Sequence, residues 1–130
     1  MNPATIREYY QLIKNKIQLA HFETALHTID KLLDVNPKDE HAYYYKGVCS
    51  FALENYKQAT KCYSIAIQLN PAHAKAYFNL GVTLYISRQF DLALVNFAKA
   101  LIIFTKQKEL DKKQRAMDAI KLIEKERNAY

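Results

Sequence analysis

The sequence repeats a pattern of residue types every 34 positions over most of its 130 residues. The segment 43–47, Tyr-Tyr-Tyr-Lys-Gly, aligns with 77–81, Tyr-Phe-Asn-Leu-Gly, and the Asn-Pro pair at 36–37 recurs at 70–71. Further pairs at this offset are Tyr56 and Phe90, Ala59 and Ala93, Tyr63 and Phe97, and Ala66 and Ala100. A fixed period of this length predicts stacked helical hairpins, because each hairpin leaves an apolar face that only its neighbour covers.

Within each period the apolar residues are three or four positions apart, as on one face of an α-helix. Two predicted helices end at an Asn-Pro pair, because the residue before proline is disfavoured in helical geometry. Asn2 and Asp39 are predicted helix caps. Alternation with period 2 is sustained nowhere, so we predict no strand. The expected helices begin at Pro3 and Phe22, then cover about 39–53, 56–69, 74–86, 90–104 and 108–127.

The recurring positions resemble those of the tetratricopeptide repeat family. The eighth position of that repeat is small, so that its two helices approach closely, and Gly47 and Gly81 match it. The fourth position is bulky and the twentieth is alanine; the matches are Tyr9, Tyr43 and Tyr77, then Ala25, Ala59 and Ala93. Ile13 stands where the first unit would have glycine, which predicts a splayed first hairpin.

The resemblance implies an all-α fold, a right-handed superhelical stack of antiparallel helix hairpins with about seven helices. Three repeats are expected at about 6–39, 40–73 and 74–107, followed by a charged capping helix at about 108–127, within one domain over 1–130. The tail helix is predicted to carry Leu110, Met117, Ile120 and Ile123 on its apolar side. A partner-binding or dimerising tail is the alternative to a cap.

In this family the first helix of each hairpin lines a concave groove. The groove residues carried over to this sequence are Arg7, Tyr10, Lys14, His41, Tyr44, Tyr45, Val48, Phe51, Lys75, Phe78, Asn79, Val82 and Tyr85. The aromatic residues assigned to the core instead are Tyr9, Phe22, Tyr43, Tyr56, Tyr63, Tyr77, Phe90 and Phe97. Rigid aromatic side chains dominate binding hot spots. The predicted ligand is therefore a peptide or helix with apolar anchors and an acidic flank.

One branch of the family binds acidic chaperone tails through a two-carboxylate clamp. The corresponding positions here are Tyr10, Lys14, Tyr45, Lys75 and Asn79, of which only Lys75 keeps the expected residue. Two carboxylates need charged or amide donors at both ends, so that ligand is not expected. In its apolar groove and repeat number the sequence is more similar to three-repeat secretion chaperones, which hold an extended client segment.

Composition favours binding over catalysis. With only 2 Gly, the chain has no phosphate-binding loop. The four histidines have no metal-ligand spacing and are expected to be solvated, and Cys49 and Cys62 are expected to be buried thiols. We therefore predict a protein that is not an enzyme, with no cofactor or metal, in the reducing cytoplasm. No apolar run approaches the roughly 18 residues of a membrane span.

Two other functions remain open at this stage. The net charge of +6 and the tyrosines among lysines also fit RNA or another polyanion, although the groove centre is apolar, which makes nucleic acid the weaker reading. Self-assembly into a homo-oligomer is the other alternative, because the terminal faces of a repeat stack are unpaired. A further alternative is that the tail helix or a second copy of the chain covers some of the groove side chains.

Overall fold

The computed structural model describes residues 3–129, with side chains from residue 5 onward. The helices of this range are α1 (Pro3–Gln18), α2 (Phe22–Val35), α3 (Glu40–Ala52), α4 (Tyr56–Leu69), α5 (Ala74–Ile86), α6 (Phe90–Lys106) and α7 (Leu110–Asn128). The described residues contain no strand, so the all-α prediction is confirmed. None of these helices is both long and apolar enough to cross a membrane. The predicted cap Asn2 lies outside the described residues.

The helix boundaries follow the sequence signals closely. Both α4 and α5 begin and end at the predicted residues, and α6 continues two residues past Phe104 because Thr105 replaces the proline that would stop it. The Asp39 side chain accepts hydrogen bonds from the N–H groups of His41 and Ala42, at 3.1 and 3.2 Å, which confirms it as the cap of α3.

The contacts divide the chain into two compact units, Met1–Leu69 and Asn70–Tyr130. The first unit contains α1 to α4, and the second contains α5 to α7. The division falls at the Asn-Pro turn after α4. The assignment of 1–130 to one domain stays a prediction.

A glycine and a buried aromatic ring set the helix separation in the second and third hairpins. A Cβ on Gly47 would lie 2.5 Å from Cε1 of Tyr63, and one on Gly81 would lie 2.8 Å from Cε1 of Phe97. Real Cβ atoms essentially never approach another atom so closely. Because Tyr63 and Phe97 are almost fully buried, their rings have little room to move away. Each glycine therefore leaves the space that its ring fills.

In the first hairpin, a different pair of residue types fills the space between the two helices. Ile13 and Ile29 occupy the positions one period before Gly47 and Tyr63, and both are fully buried in the core of the first unit. Two branched aliphatic side chains thus replace a glycine and a large ring. The α1–α2 pair packs less extensively than the α3–α4 pair, as expected for a hairpin without the glycine.

Four helix ends share one turn geometry. The left-handed residues are Ala20, Glu54, Arg88 and Lys108, with φ of 60°, 62°, 62° and 58°. In each turn the next N–H bonds the carbonyl five residues earlier, at 2.8 to 2.9 Å, which is the Schellman arrangement. The first three follow the 34-residue period, but Lys108 comes only 20 residues after Arg88. The α6–α7 connection therefore repeats the turn found inside each hairpin.

The burial of the aromatic residues corrects part of the sequence prediction. Of the eight rings assigned to the core, Tyr63, Tyr77 and Phe97 are buried, while the other five are half-buried. In a helical-repeat stack each hairpin contacts only its neighbours, so a ring on a packed face stays exposed on the side that no neighbour covers. Of the residues on the predicted apolar side of α7, Ile123 is buried, whereas Leu110, the first residue of the helix, is 71% exposed.

Candidate functional site

The thirteen predicted groove residues all lie outside the buried core. The exposed ones are Arg7, Lys14, His41 and Lys75, and the half-buried ones are Tyr10, Tyr44, Tyr45, Val48, Phe51, Phe78, Asn79, Val82 and Tyr85. The first eight in sequence belong to α1 and α3 of the first unit, and the other five belong to α5 of the second. Each unit thus presents its own set of side chains.

In the first unit, four side chains form one connected group, here called the tyrosine cluster: Tyr10, His41, Tyr44 and Tyr45. The Tyr10 ring lies 6.2 Å from His41 and 6.0 Å from Tyr45, measured between centroids. The Tyr44 and Tyr45 rings are 5.3 Å apart with a steep interplanar angle of 65°. These distances fall in the range of favourable aromatic pairs, so the rings support one another as a continuous, half-exposed surface.

Two basic side chains flank this cluster on α1. Arg7, Tyr10 and Lys14 are spaced three and four residues apart, which places them along one helical face. Both Arg7 and Lys14 are exposed. Burial and the nearby Asp39 carboxylate raise the pKa of Tyr10 well above its usual value, so its hydroxyl remains neutral. The first unit therefore combines a neutral aromatic surface with positive charge at its edge.

Tyr44 and Phe78 each rest on a buried ring nineteen residues further along the chain. The Tyr44 and Tyr63 centroids are 6.0 Å apart, and those of Phe78 and Phe97 are 5.2 Å apart. Because Gly47 admits the Tyr63 ring, the small residue of the repeat indirectly supports Tyr44. Tyr44 and Phe78 are therefore half-buried rather than freely exposed.

In the second unit, four residues of α5 lie at intervals of three or four: Lys75, Phe78, Val82 and Tyr85. This spacing places them on one face of the helix. Lys75 is exposed and the other three are half-buried. The face thus begins with a positive charge and continues as an apolar strip that ends at Tyr85.

The C-terminal end of α7 contacts the end of this face. The Tyr85 hydroxyl donates a hydrogen bond of 2.5 Å to Oε1 of Glu126, and this bond, with a smaller effect of burial, raises the pKa of Tyr85. Nearby, Arg127 Nη1 lies 2.6 Å from Oδ1 of Asp91 in an exposed ion pair. Sequence reasoning missed Glu126, because it lies beyond the repeats and no periodic signal marks it.

One histidine departs from the expectation of solvation. His73 is buried, and its Nδ1 accepts a hydrogen bond of 3.2 Å from the N–H of Ala76 at the start of α5. The sequence signal for this capping role was the position of His73 directly before the predicted helix, since the residue at that position often caps the helix. His73 therefore fixes the start of the helix that carries Lys75 and Phe78.

Both cysteines are free and buried, as predicted. Burial raises the pKa of the Cys49 thiol to about 11. The pKa of Cys62 is also raised, mainly by burial and against the effect of Lys46. Because the thiolate is the reactive form, these groups are poorly suited to nucleophilic or redox chemistry at neutral pH.

The chain folds into regular helical hairpins, and in two of them a glycine allows the paired helices to approach closely. These features define the molecule as a helical-repeat protein. The chain belongs to the tetratricopeptide repeat family: a family model described as tetratricopeptide repeat matches residues 10–59, and one described as TPR repeat matches residues 50–86. Together the two matches cover 10–86, which confirms the resemblance inferred from the sequence.

The curated relatives are much longer than this chain. The tetratricopeptide repeat-containing protein trd-1 of Caenorhabditis elegans is 34% identical over 60 residues, which are 46% of this chain and 8% of that protein. The chain therefore spans a small fraction of that relative.

Solved structures match nearly the whole fold. The type III secretion translocator chaperone SycD of Yersinia enterocolitica has a TM-score of 0.92 at 18% identity, covering 98% of this chain and 89% of that one. PcrH of Pseudomonas aeruginosa, in complex with the chaperone-binding region of PopD, also has a TM-score of 0.92, at 19% identity over 98% and 96% of the chains. Similarity at these identities establishes the fold alone.

Proposed function

We propose that this chain is a non-enzymatic protein–protein interaction module that binds a peptide or helical segment with apolar anchors and an acidic flank. The tyrosine cluster is the observation that carries this proposal. Its rings are held by mutual contact and, at Tyr44, by the buried Tyr63. A surface whose side chains are already ordered loses little conformational entropy when a ligand binds.

The chemistry of the first unit favours a particular kind of ligand. Half-buried rings offer apolar contact area, and the exposed Arg7 and Lys14 on the same face of α1 as Tyr10 offer positive charge. An apolar side chain of a partner would pack on the rings while an adjacent Asp or Glu pairs with the basic residues. Exposed ion pairs add modest affinity, so the rings supply most of the binding energy and the charges set orientation.

The solved structures with the same fold support this kind of activity. SycD is a translocator chaperone, and PcrH was solved with a bound region of PopD. A helical-repeat chain of similar extent is thus able to hold a segment of another protein. The buried thiols Cys49 and Cys62 support a place in a reducing compartment such as the cytoplasm.

A short-peptide array tests the proposal without a known client. We expect the bound peptides to be enriched in apolar residues next to Asp or Glu. Tyr44→Ala should weaken the best binder about tenfold or more, as for a hot-spot residue, whereas Tyr44→Phe should retain most of the affinity because it keeps the ring. Arg7→Gln combined with Lys14→Gln should reduce the preference for acidic flanks.

Tyr43→Ala is the matched control, since Tyr43 is half-buried and adjacent in sequence but is not a groove residue. Its folded form should bind the selected peptide as the parent does. An array with no enrichment, or equal losses for Tyr44→Ala and Tyr43→Ala, would count against the proposal.

A further inference from the structure

A second surface of the first unit has a different chemistry from the tyrosine cluster. It is a pocket of about 610 Å³ beside α3 and α4, lined by Tyr43, Lys46, Asn55, Lys57, Gln58, Lys61, Cys62 and Ile65. None of these residues belongs to the predicted groove. The lining contains three lysines and, among the described residues, no carboxylate, so the pocket has a formal charge of +3.

Two of the lysines are available to a ligand. Lys57 and Lys61 are one helical turn apart on α4, are both exposed, and form no ion pair within the described part of the chain. Residues four apart on a helix are neighbours on its surface. Their two ammonium groups therefore repel each other in the free protein, and an anion between them would relieve that repulsion.

The third lysine is held in place by an acidic neighbour. Lys46 Nζ lies 2.8 Å from Oδ1 of Asp30, which is itself half exposed to solvent. Burial disfavours its ammonium form, but the hydrogen bond and charge of Asp30 raise the pKa of Lys46 overall. Lys46 is thus a fixed positive charge at the pocket, while a ligand competes with Asp30 for it.

The amide side chains at the pocket are ordered as well. Asn55 Oδ1 accepts the N–H of Gln58 at 3.2 Å, and Asn55 Nδ2 donates to Oε1 of Gln58 at 3.2 Å. The Asn55 side chain therefore provides a hydrogen-bond acceptor for a backbone N–H group in the first turn of α4. The NH₂ group of Gln58 takes no part in these two hydrogen bonds. A ligand would be bound mainly by side chains and not by the helix end.

We propose that this pocket binds a compact oligophosphate group, such as a diphosphate or triphosphate. Lysine ammonium groups bind phosphate as point charges, and lysines supply all the cationic side chains of the lining. Two ammonium groups that form no ion pair among the described residues, with the Asp30-paired Lys46 as a third, match the charge spread over linked phosphates. The volume lies within the range of small-ligand pockets.

Inorganic pyrophosphate is the test probe, titrated into the full chain and followed by backbone amide chemical shifts at about 50 mM salt, where screening is moderate. The expected result is saturable shifts around residues 55–61. Lys57→Gln with Lys61→Gln should weaken binding about tenfold or more. Lys46→Gln should also weaken binding, because it leaves the Asp30 carboxylate unpaired beside the pocket.

Lys121→Gln with Lys125→Gln provides the matched control. These lysines are also exposed and four apart, on α7, so the change in net charge and spacing is the same. The control should bind pyrophosphate as the parent does.

Equal losses of affinity in both double variants would show general charge attraction and overturn the proposal, as would an absence of saturable shifts. Citrate binding as tightly as pyrophosphate would overturn the assignment to phosphate. Each of these results leaves peptide binding by the tyrosine cluster untouched.

Discussion

The hydroxyl of Tyr85, near the end of α5, donates a hydrogen bond of 2.5 Å to the carboxylate of Glu126, near the end of α7. These residues are 41 positions apart, and the first was expected in a groove while the second lies in the tail. The capping helix therefore contacts the surface on which a ligand was expected. A ligand that bound this end of α5 would therefore have to compete with the tail for Tyr85.

Glu126→Gln should lower the pKa of Tyr85 toward the ordinary tyrosine value of 10.0. The folded-state pKa is raised because the neutral hydroxyl donates to a carboxylate. The bond therefore contributes to stability below about pH 10 and is lost as pH rises through the raised value. An NMR titration of the tyrosine Cζ resonances measures the pKa of Tyr85.

Glu124→Gln, which changes an exposed carboxylate of α7, is the control for this prediction. An unchanged Tyr85 pKa in Glu126→Gln would contradict the role of the Tyr85–Glu126 hydrogen bond.

Gly47→Ala should destabilise the first unit by about 1–3 kcal/mol, the usual cost of overpacking. The new methyl group would meet the Tyr63 ring at 2.5 Å, and that ring is only 1% exposed. Urea denaturation measures the free energy of unfolding. Tyr63→Ile should offset part of the cost, since Ile29 occupies the equivalent position opposite Ile13. Simple additivity of the two changes would show that Gly47 and Tyr63 are not coupled in this way.

Glu54→Gly should stabilise the fold by about 0.5–1 kcal/mol, although it removes a side chain. Glu54 has a φ of 62°, a left-handed conformation that costs an ordinary residue about 1 kcal/mol and glycine almost nothing. Ala52→Gly, two residues earlier within α3, should instead lower stability by up to about 1 kcal/mol. Thermal unfolding of both variants gives the comparison, and a loss of stability in Glu54→Gly would refute the strain argument.

Asp39→Ala should lower the free energy of unfolding by about 1 kcal/mol, because two N–H groups at the start of α3 lose their acceptor. Asp39→Asn keeps an acceptor oxygen and should cost much less. Denaturant curves distinguish the two. Equal losses would mean that the charge of Asp39, and not the cap, provides the stabilisation.

Cys49 and Cys62 should react slowly with a thiol reagent at pH 8 in the folded protein and rapidly after denaturation. Burial excludes the reagent and raises the pKa of Cys49 to about 11, so little thiolate is present at that pH. As the pKa is raised on folding, the stability linked to this thiol decreases only when the pH rises above its unfolded value of about 8.5. Rapid labelling of the native protein would show that the first unit opens readily.

The 34-residue period determined the helices, their boundaries and the class of fold. These features are local or periodic: proline and asparagine end helices, small residues allow close approach, and apolar spacing fixes the buried face. The same period distinguished Tyr44 from Tyr63: Tyr44 lies in α3 and is half-buried, whereas Tyr63 lies in α4 and packs against Gly47 in the core. It did not determine degree of burial, which is why Tyr43, Tyr56 and Phe90 are less buried than predicted.

Tertiary structure alone decided three features. It joined Glu126 to Tyr85, a pairing between a repeat and a tail that no internal period records. It buried His73, a side chain that the sequence analysis expected to be solvated. It also gathered Lys46, Lys57 and Lys61 around one pocket. In each case the outcome depends on how separate segments pack, because side chains from distant positions become neighbours only after the helices have docked.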